Sequence, residues 1–155
     1  MKTMMMRKCV RCRGTDLRQQ KRPLTRTVAG HAFKASVSAI VCKSCDAVYF
    51  IGPALGDFDL AVAGKLARAG VADGEAIKFM RKAVGLSAVA LAELLDTSPE
   101  TVSRWERGVS RMDRAAFAIL TGIVLEKTDD RSETLDRLRA LRRPARLGHL
   151  VQIEA

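Results

Sequence analysis

Four cysteines sit in this 155-residue chain as two Cys-x-x-Cys pairs, Cys9/Cys12 and Cys42/Cys45, separated by 29 residues. A two-residue gap lets one tight turn present both sulfurs to one ion. Four thiolates then close a tetrahedral Zn2+ site with Zn–S distances of about 2.3 Å. No coordination position is left open, so the pattern predicts one structural Zn2+ per chain, not a catalytic one. It also requires the segment between the pairs to turn back on itself. Phe33, Ala35, Val37, Ala39 and Val41 alternate with Lys34, Ser36 and Ser38, the period of a half-buried strand. Ala29-Gly30-His31 reads as a hairpin turn, with Leu24 to Val28 as the partner strand. Ala47 to Ile51 reads as a short third strand, stopped by Gly52-Pro53. A sheet this small buries little and needs such a staple. Two other cysteine chemistries fit less well. Disulfides are uncommon in a cytosolic chain, and a thioredoxin-type motif needs one Cys-x-x-Cys opening a helix, not two around a hairpin. His31 and His149 are isolated and are not counted as ligands.

The rest of the chain reads as helical. Phe58, Val62, Leu66 and Ala69 recur at spacings of four and three, predicting a helix from Asp57 to Ala69 that ends at Gly70. Gly64 inside it costs about 1 kcal/mol of helix preference. This helix is read as a connection between two units, with a place in the second unit's core as the alternative. Further helices are expected over Gly74 to Val84, Ser87 to Leu95, Pro99 to Arg107 and Arg114 to Glu126. The expected caps are Ser87, Ser98 and Asp113, with Pro99 at a favoured first position and Gly108 as a left-handed stop. Ser132 would cap a last helix carrying Leu135, Leu138 and Leu141, which Pro144 ends. Its leucine stripe suits closure of the core or, alternatively, a dimer seam. The expected division is therefore a four-cysteine zinc-binding β domain over 1–53, a connecting helix and linker over 54–72, a helical domain over 73–143 and a tail over 144–155.

Charge is unevenly spread. The net charge is +10, yet residues 1–50 hold 11 Lys/Arg against 2 Asp/Glu, residues 51–110 hold 7 against 8, and residues 111–155 hold 9 against 7. A basic chain suits a polyanionic partner. Lys8, Arg11, Arg13, Arg18, Lys21, Arg22, Arg26, Lys34 and Lys43 could touch phosphates, or simply keep a small domain soluble. Aromatic residues make up 5% of the chain, which gives little support to single-strand stacking. There is no run of 18 apolar residues, so no membrane span is expected. The first residues lack the apolar core of a secretory signal. The expected location is the cytoplasm.

Leu86 to Gly108 reads as two short helices joined by a tight turn, the arrangement that presents a second helix to the major groove of DNA. Val102 and Trp105 would face inward against Leu91, Ala92 and Leu95, with Glu106 structural. Ser98, Pro99, Glu100, Thr101, Ser103, Arg104 and Arg107 face outward and are the candidate DNA contacts. Arg104 could pair in bidentate fashion with guanine, for about 1–3 kcal/mol of discrimination, and Glu100 could accept from cytosine N4. On an ordinary exposed helix, Glu100 and Arg104 would instead form an i,i+4 ion pair worth about 0.2–0.5 kcal/mol.

The run Thr101-Val102-Ser103-Arg104-Trp105-Glu106-Arg107-Gly108, after Leu91-Ala92-Glu93-Leu94-Leu95, resembles the Xre/Cro-type helix-turn-helix of lambdoid repressors. Joined to the upstream cysteine pairs, it resembles the MqsA antitoxins with their YgiT-type zinc domain. The resemblance implies a small zinc-stapled β domain followed by an all-α Xre/Cro-type domain. It also implies a non-enzymatic, homodimeric, double-stranded-DNA-binding repressor. In that family the zinc domain binds a small toxin and the helical domain represses its own operon. By position, Ser98, Pro99, Glu100 and Arg104 match the family's base-contact residues. This chain departs from the pattern at Ala88 (usually Gln, a DNA-backbone contact), at the apolar Val89 and Ala90, and at Asp96 in place of the turn glycine. Val10 and Asp46 replace the usual Pro and Gly beside the cysteines. A zinc domain at net +9 would also repel a basic toxin unless the contact patch is locally acidic. A regulator acting alone therefore ranks ahead of an antitoxin.

Overall fold

The computed structural model describes residues 6–144, 146, 151 and 152, so most of the expected tail lies outside the described residues. A three-stranded antiparallel sheet in the order β1-β2-β3 comes first: β1 Leu17–Val28, β2 His31–Cys42 and β3 Val48–Phe50. Six helices follow: α1 Gly52–Ala69, α2 Gly74–Ala83, α3 Ala88–Leu94, α4 Pro99–Glu106, α5 Arg114–Thr128 and α6 Glu133–Leu141.

β1 begins at Leu17, seven residues before the expected Leu24. The Arg18–Pro23 stretch carries no apolar alternation, so periodicity could not find it. Its pairing to β2, Leu17 opposite Cys42 through Val28 opposite His31, supplies the ladder instead. Pro23 is tolerated because β1 is an edge strand. The two-residue turn places Ala29 at φ 49° and Gly30 at φ 78°, the left-handed pair of a type I′ hairpin.

α1 also starts earlier than expected. Gly52-Pro53 ends β3 and opens the helix at once, with Ile51 as N-cap and Pro53 in the first turn; proline is pre-organised for that position. α1 packs on β2 along one side and on α2 and α5 along the other. Gly64 lets α1 approach α5 closely: a Cβ there would stand 3.0 Å from the Thr128 methyl, tighter than ordinary van der Waals contact. One core runs through both units, from Val28 and Val37 of the hairpin through Phe58, Val62 and Leu66 of α1 to Ile77, Met80, Leu91, Val102, Leu120 and Val124. Polar ties reinforce it. Arg26 pairs with Asp59 at 2.7 Å, and the Ala29 amide donates to the Glu75 carboxylate at 2.9 Å.

The caps follow the sequence at Ser87, Ser98 and Asp113, whose side chains accept from the amides of Ala90, Thr101 and Ala116. The leucine stripe of α6 does not close the core. Of its three leucines Leu135 packs on the core, Leu138 is half-buried and Leu141 is 60% exposed; α6 has no fully buried residue. The helix packs mainly on α5, and at its C-terminal end Arg142 reaches Glu93 of α3 at 3.0 Å across an open cleft that Leu138 and Leu141 line without filling.

Candidate metal centre and nucleic-acid interface

Each cysteine pair sits in the same kind of loop. The Arg13 amide donates to the Cys9 carbonyl at 2.8 Å and the Cys9 amide to the Gly14 carbonyl at 2.9 Å. In the second loop the Asp46 amide donates to the Cys42 carbonyl and the Cys42 amide to the Ala47 carbonyl, both at 2.9 Å. The residue after each second cysteine turns left-handed, Arg13 at φ 59° and Asp46 at φ 55°. Asp46 thus fills a position that favours glycine, in a conformation that Asp tolerates better than most residues.

The register of Leu17 opposite Cys42 brings the two loops together, and the four sulfurs lie within 4.8 Å of one another. The contacts that join the loops are Cys9 to Cys45 and Cys12 to Cys42, each 3.6 Å. A disulfide would need about 2.05 Å. A tetrahedron with Zn–S near 2.3 Å has sulfur–sulfur edges of about 3.8 Å, so donor type, number and spacing all fit a metal ion and are consistent with zinc. Cys9 and Cys42 are buried, while Cys12 is exposed. A hydrogen bond from the Tyr49 hydroxyl holds the Cys9 thiol down at about 6, against burial. At Cys45 the Ala47 amide favours the thiolate, but burial and the Cys12, Cys9 and Cys42 sulfurs outweigh it and push the thiol up to about 12. Four thiolates this close need a cation between them to coexist.

In the helical unit, α3 ends in a left-handed turn at Asp96, φ 51°. The Thr97 amide donates to the Ala92 carbonyl at 2.9 Å, a Schellman closure that uses Asp where glycine is commonest. Val102 and Trp105 of α4 are buried with Leu91 and Ala92 of α3. The back of α4 is locked to α2 by a pair that sequence reasoning did not connect. Arg81, only 6% exposed, donates to both carboxylate oxygens of Glu106 and, at 2.7 Å, to the Leu86 carbonyl. The two residues are 25 apart, so spacing gave no signal, although an arginine on α2's apolar side was one. At the same junction the Gly74 backbone lies against α4, and a Cβ would stand 2.5 Å from the Glu106 carbonyl oxygen.

The outward face of α4 differs from the expectation in one respect. Glu100 does not pair with Arg104. Its carboxylate accepts from Arg107 at 3.1 Å, and Arg107 also donates to the Ser103 hydroxyl at 3.2 Å. Residues 100, 103 and 107 share one stripe of the helix and its C-cap, which outcompetes the i,i+4 geometry. The Ser98 and Thr101 hydroxyls are 2.9 Å apart and serve the cap. Ser98, Pro99, Glu100, Arg104 and Arg107 are exposed, with Thr101 and Ser103 half-buried. Arg104 makes no side-chain hydrogen bond among the described residues. Beside the C-terminal end of α4, Arg111 and the hairpin-tip His31 line one cleft with residues 69–73. Val89 is 53% exposed on α3. No helix among the described residues is long and apolar enough to cross a membrane.

Two helices joined by a tight turn, with an inward apolar seam and an outward polar face, define a helix-turn-helix, the module of DNA-binding transcriptional regulators. Residues 77–113 match a family model described as helix-turn-helix, which agrees with the Xre/Cro half of the resemblance. The match does not extend to the cysteine-bearing segment. A comparison with curated proteins finds no match to the chain.

Proposed function

We propose that this chain is a sequence-specific, repressor-type transcriptional regulator, cytoplasmic, homodimeric and not an enzyme. Its parts are a four-cysteine unit over 1–53 that holds one structural Zn2+ on Cys9, Cys12, Cys42 and Cys45, a connecting helix and linker over 54–72, a DNA-binding unit over 73–143 and a tail over 144–155. α4 enters the major groove of double-stranded DNA, and a second subunit reads a half-site about 34 Å away. The observation that carries this reading is the outer face of α4. Arg104 is exposed and makes no side-chain hydrogen bond among the described residues, on a helix whose start is capped and whose back is fixed by Arg81 and Glu106. Arg104 is assigned to a base edge, Glu100 and Arg107 to bases or phosphate once their mutual pair opens, and Ser98, Pro99, Thr101 and Ser103 to the positioning contacts around them.

The helix-turn-helix segment is close to neutral, so affinity has to come from elsewhere, and the hairpin is one source. Between Leu17 and Cys42 stand Arg18, Lys21, Arg22, Arg26 and Lys34, with no Asp or Glu. The shared core fixes the hairpin's tip beside α2. The experiment is selection of bound sequences from random duplex DNA, followed by Arg104→Ala. The variant is expected to lose about 1–3 kcal/mol of discrimination at one base position; an unchanged preference removes the Arg104 assignment. Lys21→Ala with Lys34→Ala should weaken binding uniformly across sequences and reduce the salt slope by about 1 per lost phosphate contact.

A second reading, the antitoxin, is favoured by one observation: β1 is a twelve-residue edge strand, the kind of edge on which another protein can add a strand. Under that reading a small protein encoded beside this one copurifies with it and is lost when β1 is altered. Without such a neighbour the regulator acts alone.

A further inference from the structure

Tyr49 was not singled out by the sequence, and among the described residues it is the side chain that ties the second cysteine loop's strand to the first loop. It lies on β3 opposite Ile40, four residues after Cys45, yet its hydroxyl reaches back to the first loop. The Arg11 amide donates to that oxygen at 3.2 Å, and the same oxygen stands 3.2 Å from the Cys9 sulfur. A phenol has one proton to give. With the Arg11 N–H occupying an oxygen lone pair, that proton is aimed at sulfur, and a metal-bound thiolate can only accept. Cys9 is buried, so water cannot readily replace the donor there. The exposed Cys12 is served differently, by the Gly14 amide at 3.4 Å.

We propose that Tyr49 is a positioning residue of the metal centre: its hydroxyl orients the Cys9 thiolate toward the ion and, through Arg11, sets the first loop against β3. The proposal rests on the metal reading above. Outer-shell hydrogen bonds to metal ligands are typically worth about 10–100-fold in affinity, and withdrawing electron density from sulfur also makes the bound thiolate a poorer nucleophile.

The test uses the full chain loaded with Zn2+ or Co2+, with metal affinity read by competition against a chromophoric chelator. Tyr49→Phe keeps the ring and removes the hydroxyl. It is expected to weaken Zn2+ binding about tenfold or more and to move the thiolate-to-cobalt charge-transfer band to lower energy. A double-mutant cycle separates this from packing. In a Cys9→His background, which keeps four ligands, Tyr49→Phe should cost clearly less, keeping only the part that acts through the Arg11 amide. In a Cys12→His background the penalty should persist. Wild-type affinity and an unshifted band in Tyr49→Phe would overturn the proposal, as would an equal penalty in both histidine backgrounds. A wild-type chain that takes up neither metal would instead overturn the metal reading itself.

Discussion

The cysteine end and the helix-turn-helix both hold non-glycine residues in left-handed turns, but they do so with different means. Around Asp96 the turn is pinned by apolar burial on both sides, Leu91 and Ala92 before it and Val102 and Trp105 after it, with the Arg81–Glu106 pair behind. Around Arg13 and Asp46 little is buried besides Cys9, Cys42, Ala39 and Val41. There the sulfurs take the place of a core. The helical unit is thus set by its own side chains, whereas the cysteine loops, on the zinc reading proposed above, depend on a bound ion.

Removing the metal should break this comparison most visibly. Structural zinc sites carry about 10–16 kcal/mol of apparent binding free energy, which becomes folding free energy. With chelator, or in Cys42→Ser, amides of residues 9–16 and 43–50 are expected to lose hydrogen-exchange protection while those of α2 to α5 keep theirs. The hairpin tip should remain docked, because Val28 and Val37 pack on the helices. Loss of protection throughout α2 to α5 would show that the two regions are not separately held.

Glu106→Ala should produce the next largest effect, now confined to the helical side. It strands Arg81, a charge only 6% exposed, and breaking one partner of a buried pair costs about 3–5 kcal/mol. Thermal and urea unfolding of the metal-loaded chain would report it. The double variant Arg81→Met, Glu106→Leu should recover most of the loss, because it removes both desolvation costs. A double variant as unstable as the single one would mean that the pair itself, not the stranded charge, holds α4.

The two regions also differed in how well the sequence revealed them. The helices of the second unit were readable from their apolar periods and, at α3, α4 and α5, from capping side chains, and their ends lie within about two residues of the expected ones. The expected Ser132 cap of α6 does not form, because the Ser132 hydroxyl donates to the Asp136 carboxylate instead. The cysteine pairing was readable because Cys-x-x-Cys restricts geometry so strongly. What was hidden depended on partners distant in sequence. The first half of β1 is a polar run made a strand by its pairing with β2. Tyr49 and the Arg81–Glu106 pair act across 40 and 25 residues. The Glu100–Arg107 contact displaced the nearer Arg104 because Ser103 and the helix C-cap steer the guanidinium. α6 misled in the opposite way: its leucine spacing implied burial, but Leu138 and Leu141 face an open cleft beside α3.

α6 gives the smallest expected effect and the one that depends on pH. Its first turn is tied to α5 by Glu126, whose carboxylate accepts from the Thr134 hydroxyl and, at 2.8 Å, from the Thr134 amide. The Thr134 hydroxyl, then the Thr134 amide, hold the Glu126 carboxyl below its ordinary value of 4.5. A carboxyl lowered in the folded state stabilises that state while it is ionised in both forms. The contribution is therefore complete above the ordinary value and is lost as pH falls through the lowered one. Acidification into that window should release α6 before the rest of the helical unit, seen as early loss of amide protection at residues 133–141 while α2 and α4 stay protected. Thr134→Val removes the hydroxyl but keeps the amide, so it should loosen α6 slightly at neutral pH and shrink the acid-dependent step. An acid step unchanged in Thr134→Val would assign the titration to another group. Because α6 adds no fully buried residue to the core, its release should leave the Arg81–Glu106 lock and the outer face of α4 intact.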